Sequence, residues 1–378
     1  MKVLLLKGTS QYGAMRNYID QWNYVFQRKG YETYILDFTS GVTSEQITYF
    51  IETQRPGLVL ACNAIAGNVA EKAVAEFGKY VTVIYDNPVV HTERLQSLGK
   101  DSVVFSCDAI YADYIREHYP AIGRVGFLPL SGDAAGKRIP YEDRKYDILF
   151  TGSYFDVNKA YDTLCKLPES IRAFGMQVAQ DMLDRPSLVL WDSLDGVLEA
   201  WGIVMTVQQK EILLGMLRCV DIFVRACVRD KVMHQIVDCD IPVHIFGNGW
   251  ERFSCKHPEN IILHEGYGEA AMEALADSKL SLNVMPWFRA GIQERNIAAM
   301  LSGTVSVTDS SLYIDEHFVD GEDIVLYSLE RLEELPKILV HCLEDTAGSR
   351  EIAARGYKKA VSAHTWTHRM EQLLREII

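Results

Sequence analysis

The sequence predicts an α/β protein built from two doubly wound, Rossmann-like domains. Apolar runs of strand length alternate with helix-like segments along most of the chain, and this alternation is typical of parallel sheets covered by helices on both faces. The chain is also 378 residues long. That length exceeds what one hydrophobic core usually holds, so it favours two domains.

The first series of strands and helices predicts an N-terminal Rossmann-like domain over residues 1–144. It opens with the apolar run VLLLK, and the amphipathic stretch YGAMRNYIDQWNYVFQRKG follows and ends at Gly30. Further predicted strands are ETYILDF, GLVLACN, VTVIYD, SVVFSC and VGFLPL. The charged, glycine-containing segment 131–145 has the composition of a linker and ends the series.

The second series predicts a C-terminal Rossmann-like domain over residues 145–358. It begins with the strand YDILFTGS, and residues 155–239 then read as mainly helical, which indicates a helical insertion. Alternation resumes with the strands IPVHIFGNGW, NIILHEGYG, KLSLNVM, TVSVTD and EDIVLYS. Helical stretches close the chain, and residues 359–378 are expected to form a helix that crosses back to the first domain.

Composition narrows the class of function. The formal net charge is −13, which argues against nucleic-acid partners and against a polybasic membrane anchor. No apolar run reaches the length of a membrane span, and the start of the chain does not read as a signal peptide. The eight cysteines form no Cys-x-x-Cys pair, as expected of reduced cysteines in a cytoplasmic protein.

Parallel sheets bind ligands outside the carboxyl ends of their strands, so the residues that follow each strand carry the most weight. In the first domain, Gly8 follows the first strand, and Asp86 and His91 follow the strand VTVIYD. Either Asp86 or His91 could take a proton from an acceptor hydroxyl. The alternative remains open that Asp86 begins a turn and that His91 is a solvated side chain.

Three stretches of the second half carry a resemblance to a known family: IPVHIFGNGW, LSLNVMPWFRAGIQERNIAAMLSGTVSVTD and ARGYKKAVSAHTWTHRMEQLL. They resemble the CgeB-like (spore-maturation) glycosyltransferases, which are nucleotide-sugar enzymes of the GT-B fold. The resemblance covers the chain from about Asp221 to its C-terminus. It implies an acceptor side in the first domain, a donor side in the second, and a cleft between them.

The segment FRAGIQERNIAAM fits donor binding on physical grounds as well. A helix starting near Gly291 would present free N–H groups and the positive end of its dipole. Arg289 and Arg295 supply charge for a diphosphate, and the Glu294 carboxylate suits ribose hydroxyls. Ile292 lies within the same segment. The alternative is that Glu294 and Arg295 cap the helix and form surface ion pairs.

Other donor contacts are implied by the resemblance. They lie in the loop after the strand YDILFT, in the glycine turn GNGW, and in EGYG: Gly152, Ser153, Gly247, Asn248, Gly249 and Tyr267. An ordinary Asn-Gly turn is an open alternative for GNGW. Many GT-B enzymes carry two glutamates eight positions apart, where this chain has Ala290 and Ala298. The stereochemistry of transfer therefore does not carry over.

The resulting prediction is a metal-independent GT-B glycosyltransferase that needs no cofactor. It would move a sugar from a nucleotide sugar, expected to be UDP-linked, to a hydroxyl of a protein, glycan or small molecule. The sequence shows no metal-ligand spacing, and arginines with a helix N-terminus would neutralise the phosphates. The alternatives are a non-catalytic nucleotide-sugar sensor or binding module, and a nucleotide-sugar epimerase.

Overall fold

The computed structural model describes residues 1–10, 13–132, 139–266, 268–286 and 288–377. The chain divides into two compact units, each with its own sheet. The first comprises Met1–Ser131, Ala290–Ile292 and His364–Ile378, and the second comprises Gly132–Arg289 and Gln293–Ala363.

The described part of the first unit contains a six-stranded parallel sheet. Its strands are β1 (Lys2–Lys7), β2 (Glu32–Asp37), β3 (Leu58–Cys62), β4 (Lys79–Ile84), β5 (Ser102–Ser106) and β6 (Arg124–Phe127). Their spatial order is β2-β1-β3-β4-β5-β6. The inner strands are continuous apolar runs because helices cover both faces, and Val3 to Leu6 are fully buried.

Helices connect these strands and supply the rest of the first core. They are α1 (Ala14–Arg28), α2 (Ser44–Gln54), α3 (Gly67–Val74), α4 (Thr92–Gln96) and α5 (Ala109–His118). Thr43 and Gln46 form a capping box at the start of α2, which satisfies two of its unpaired N–H groups. On α1, Trp22 and Phe26 lie one turn apart and are fully buried.

The second unit carries another six-stranded parallel sheet among its described residues. Its strands are β7 (Tyr146–Thr151), β8 (Val243–Phe246), β9 (Ile261–His264), β10 (Ser278–Leu282), β11 (Val305–Thr308) and β12 (Val325–Leu326). The order is β12-β11-β10-β7-β8-β9. The predicted strands are therefore confirmed, although β12 is only two residues long.

The region predicted as helical, 155–239, forms four helices in the described structure. They are α6 (Val157–Cys165), α7 (Glu169–Asp184), α8 (Leu190–Ala200) and α9 (Val207–Val237). The first three pack against α9. A capping box of Thr206 and Gln209 begins α9, which is 31 residues long. A short turn then connects its end at Val237 to the start of β8 at Val243.

Further helices connect the remaining strands and end the chain. They are α10 (Glu269–Ala276), α11 (Glu294–Leu301), α12 (Leu312–His317), α13 (Leu335–Glu344), α14 (Thr346–Ala363) and α15 (Trp366–Ile377). The last of these groups with the first unit. There the Trp366 ring lies 5.0 Å from the Tyr18 ring, centroid to centroid.

Strand order creates one switch point in each sheet. In the first, the chain moves outward from β1 to β2 and then returns to β3 on the other side of β1. In the second, β8 and β9 lie on one side of β7, and β10 lies on the other. Loops diverge at such points and leave a crevice at the carboxyl ends of the strands, which is where open α/β sheets bind ligands.

Candidate functional site

The loops after β7 and β8 interlock at the carboxyl edge of the second sheet. The Gly152 N–H donates to the Phe246 carbonyl at 3.0 Å, and the Tyr154 N–H donates to the Asn248 carbonyl at 2.8 Å. The Trp250 indole N–H donates to the Gly152 carbonyl at 2.7 Å, and the Asn248 N–H donates to the Ser153 hydroxyl at 3.3 Å. The structure thus brings the predicted residues of these two loops together.

Close backbone approach explains why the turn GNGW carries glycines. A Cβ atom at Gly247 would lie 2.1 Å from the Gly152 carbonyl oxygen, a distance that no side chain permits. Gly249 adopts a φ of +88°, a left-handed conformation that glycine reaches without strain. Both glycines are required for the two loops to meet, whatever they bind.

The helix of the segment FRAGIQERNIAAM begins later than the sequence suggested. A start near Gly291 is wrong: α11 begins at Glu294, and Gln293 is its N-cap. The cause lies in the preceding residues. The Asp108 carboxylate accepts the Ala290 N–H at 2.8 Å, and Asp108 pairs with Gly291 in an isolated antiparallel bridge. This extended pairing prevents residues 290–291 from entering the helix.

Arg295 lies at the switch point of the second sheet. Its guanidinium donates to the carbonyl of Thr151, the last residue of β7. A Cβ atom at Gly152 would lie 2.7 Å from Nη1 of Arg295, so the glycine leaves room for this arginine. The predicted arginine and the predicted glycine therefore occupy one place, although they are far apart in the chain.

Partial burial shifts the pKa values of two adjacent side chains in the first turn of α11. Desolvation raises the pKa of the Glu294 carboxyl to about 7, against a smaller lowering by the Arg295 charge. Desolvation lowers the pKa of Arg295 to about 10, against an opposing effect of Glu294. The N-cap of α11 is Gln293, not Glu294 or Arg295, and its side chain forms no capping hydrogen bond.

Arg229 is a residue of this edge that sequence reasoning missed. It lies on α9, and its Nη1 donates to the Ser153 carbonyl at 2.6 Å. The residue is 4% exposed. A signal was available, since Ala226, Arg229, Met233 and Ile236 follow the helical period and all are buried. A charged residue on the buried stripe of a helix is unusual and warrants a functional explanation.

Asp309, which follows β11, is the second missed residue. Its Oδ1 accepts the Met285 N–H at 2.7 Å, while its Oδ2 is buried with no hydrogen-bond partner among the described residues. Burial raises the pKa of this carboxyl to about 6, and the Arg289 charge is among the influences that lower it. The predicted Arg289 is therefore electrostatically coupled to a buried acid at the same edge of the sheet.

The first unit brings Asp86 and His91 together. Oδ2 of Asp86 lies 3.2 Å from Nε2 of His91 and accepts the Asn63 amide N–H at 2.8 Å. Asn63 is itself held in place, because its Oδ1 accepts the Tyr85 N–H at 2.9 Å. The Asp86 side chain is half exposed, whereas that of His91 is 9% exposed. The alternative of a solvated His91 is therefore wrong.

A small cavity of about 90 Å³ lies at the switch point of the first sheet. It is lined by Gly8, Thr9, Met15, Ile19, Cys62, Asn63, Ile65 and Arg94. A Cβ atom at Gly8 would lie 2.1 Å from Cδ1 of Ile65, so a larger residue there would have to displace the end of that side chain. Asn63 lines the cavity and also donates a hydrogen bond to Asp86. Gly8 therefore lies close to the Asp86–His91 pair.

Two predicted site residues remain, Ile292 and Tyr267. Ile292 is fully buried, and Tyr267 lies outside the described residues. Among the residues that the structure describes, no three His, Cys, Asp or Glu side chains form a group able to hold a metal ion. Within the same residues, no helix has the length and apolarity needed to cross a membrane.

Comparison with known sequences finds a family match in the C-terminal part of the chain. A model of the "Glycosyl transferase-like" family matches residues 225–375. This match spans α11 and the glycine turn, and it begins in α9 near Arg229. No curated protein sequence matches the chain significantly.

Solved structures match over almost the whole chain. HepE from Anabaena, solved with UDP-glucose, has a TM-score of 0.60 and 10% identity, and the match covers 100% of this chain and 99% of that one. An alpha-glucosyltransferase solved with UDP and a 13-mer DNA gives the same four values. Sucrose-phosphate synthase from Thermosynechococcus elongatus has a TM-score of 0.56 and 11% identity, with coverage of 99% and 98%.

The predicted fold is thereby confirmed, since these matches extend over almost the full length of both chains. The chain has the GT-B fold, and its residues 225–375 match the model of the glycosyl transferase-like family.

Proposed function

We propose that the protein transfers a sugar from a uridine diphosphate sugar to a hydroxyl acceptor. The observation that carries the proposal is Arg295 at the switch point of the second sheet, where its guanidinium contacts the end of β7 above a glycine. Open α/β sheets bind nucleotides at this position. Structural relatives solved with UDP or UDP-glucose support the choice of donor.

The donor would be held by groups around α11. Arg295 and Arg289 would bind the diphosphate, together with the N–H groups that the first turn of α11 leaves unpaired. Glu294 would accept hydrogen bonds from ribose hydroxyls. The loop Gly247–Gly249 would contact the donor through its backbone, beside Ser153.

The acceptor would be activated by the Asp86–His91 pair. As the acceptor oxygen attacks the anomeric carbon, its proton passes to this pair and the bond from that carbon to the diphosphate oxygen breaks. Uridine diphosphate then leaves with the bonding electrons, and the arginines stabilise the charge that develops on it. The carboxylate of Asp86 orients the His91 ring, because it lies 3.2 Å from Nε2.

The chain would belong to the CgeB-like, spore-maturation group, on the strength of its glycine turn and the segment around α11. It would need no metal or other cofactor, because arginine and helix charge would neutralise the phosphates. It would act in the cytoplasm, which the eight free cysteines support.

Calorimetric titration with uridine diphosphate tests the donor site. Arg295→Ala should weaken binding by about ten- to hundredfold, since a charge-assisted hydrogen bond contributes roughly 1.5–3 kcal/mol. Arg295→Lys should recover part of the loss, because a point charge cannot form the bidentate fork. The matched control is Lys279→Met on β10, which removes a charge paired with Asp147 on β7 and should leave affinity unchanged.

Turnover tests the reaction itself. The best-binding donor from a panel of nucleotide sugars should be slowly hydrolysed in the absence of acceptor, with release of the nucleoside diphosphate. Equal affinity of wild type and Arg295→Ala for uridine diphosphate would remove the basis of the proposed donor site. Binding of donors without any hydrolysis or transfer would reject the enzymatic assignment.

A further inference from the structure

We propose that the long helix α9 supplies a third phosphate-binding guanidinium, that of Arg229, beside those of Arg295 and Arg289, so that the site selects nucleoside diphosphates over monophosphates. This inference rests on the donor site proposed above. It extends that site to a residue of the helical region, and it assigns the region a part in donor recognition.

Arg229 and Arg295 converge on one aromatic ring at the end of β7. The guanidinium carbon of Arg229 lies 5.8 Å from the centroid of the Phe150 ring, and that of Arg295 lies 6.0 Å from the same centroid. Each arginine also donates to a backbone carbonyl just beyond Phe150, Arg229 to Ser153 and Arg295 to Thr151. Two cations from separate helices are thus placed at the switch point of one sheet.

The two positive charges disfavour each other at this place. Desolvation, together with the positive charges of Arg295 and Arg225, lowers the pKa of Arg229 to about 9, against a raising effect of Tyr327. Two like charges repel more strongly where water is excluded. A bound diphosphate would offset that repulsion, because each phosphate group can accept hydrogen bonds from one guanidinium.

The path of the chain explains why a helix from the insertion can reach this site. Arg229 lies two turns before the end of α9, and α9 leads through a short turn into β8, the neighbour of β7. Its C-terminal part therefore lies alongside the strands of the switch point. Its earlier turns pack against α6, α7 and α8, so these helices fix the position of α9 and of Arg229.

Affinity for three phosphate ligands tests the inference: uridine diphosphate, uridine monophosphate and inorganic pyrophosphate, measured by calorimetry on the full chain. The wild type should prefer the diphosphate to the monophosphate by about tenfold or more. Arg229→Met should weaken diphosphate and pyrophosphate binding by about ten- to hundredfold and should reduce that preference by at least about tenfold.

Two further variants separate ligand binding from folding. Arg229→Gln keeps a donor for the Ser153 carbonyl but removes the charge, so it should fold and should lose the diphosphate preference as Arg229→Met does. Lys231→Met removes an exposed charge two residues further along α9 and should preserve both affinity and preference.

Three results would overturn the inference. They are equal wild-type affinity for the two nucleotides, an unchanged preference in folded Arg229→Gln, and a loss as large in Lys231→Met. If Arg295→Ala weakens binding while the Arg229 variants do not, only this inference fails. If the wild type binds no nucleotide at all, the proposed function fails with it.

Discussion

Glu294 and Arg295 are neighbours in the chain, and the same burial moves both of their pKa values toward neutrality. At the scale of the residue, the carboxyl edge of the second sheet therefore holds ionisable side chains that are partly removed from water. Asp309 extends this pattern, because burial raises the pKa of its carboxyl to about 6. Groups perturbed by burial cluster at functional sites more often than elsewhere.

The raised pKa of Glu294 predicts a pH-dependent stability. The folded state holds a proton on this carboxyl up to about pH 7, whereas the unfolded chain releases it near 4.5. The stability from this proton is complete below about 4.5 and is lost as the pH rises through about 7. Relative to Glu294→Gln, the wild type should therefore lose stability across that window and lose no more above about pH 8. Denaturant unfolding of both proteins at several pH values measures this, and parallel curves would contradict it.

A second residue-scale prediction concerns Asp86 and His91. Asp86→Asn and His91→Ala should each lower turnover by roughly two to four powers of ten if the pair acts as general base. Donor affinity should change little, because neither side chain belongs to the second sheet. Steady-state kinetics with calorimetry separates the two effects. The control is His118→Ala on α5, and transfer rates near wild type in both test variants would reject the assignment.

At the scale of the element, the loops after β7 and β8 act as one unit. Their backbones approach so closely that Gly247 has no room for a Cβ, which would lie 2.1 Å from the Gly152 carbonyl oxygen. The indole of Trp250 donates to that same carbonyl. A change in one loop must therefore displace the other.

This contact predicts opposite outcomes for two glycine substitutions. Gly247→Ala should destabilise the protein by about 1–3 kcal/mol, as overpacking does, and should weaken uridine diphosphate binding. Gly215→Ala in the middle of α9 should instead stabilise it by about 0.5–1 kcal/mol, because a Cβ there would meet nothing within 4 Å. Thermal unfolding compares the two variants, and equal shifts in Tm would show that the tight contact is unimportant.

At the scale of the whole molecule, the two ends of the chain belong to the same unit. The helix α15 places its apolar side in the first unit, where Met370 and Leu373 are fully buried. Gln372 donates to the carbonyl of Phe127, the last residue of β6, at 2.9 Å. The final residues therefore belong to the core around the first sheet, whose strands come from the beginning of the chain.

Adjacent residues of α15 give a matched test of this packing. Met370→Ala should cost about 2–5 kcal/mol of unfolding free energy, since it leaves a cavity in a closed core. Glu371→Ala removes only a surface pair with Lys29, at 2.6 Å, and should cost at most about 1 kcal/mol. Chemical denaturation of both variants distinguishes them, and a similar cost for the two would mean that α15 is not integral to the first unit.

The sequence by itself determined the strands, the helices and the class of fold. Strands that are buried on both faces must be continuous apolar runs, and that requirement is visible in the residues themselves. The sequence also identified Arg295, Glu294 and the glycines of the turn as candidates. It could not show that Asp86 touches His91 and Asn63, or that Arg229 lies beside Arg295.

Tertiary structure decided which of these residues meet. Residues 229 and 295 share the Phe150 ring only because β10 returns to the side of β7 opposite β8, and local periodicity carries no information about strand order. The start of α11 was decided in the same way. The Asp108 carboxylate, which is distant in sequence, holds Ala290 in an extended pairing, and a long-range hydrogen bond of this kind overrides the local preference of the segment for a helix.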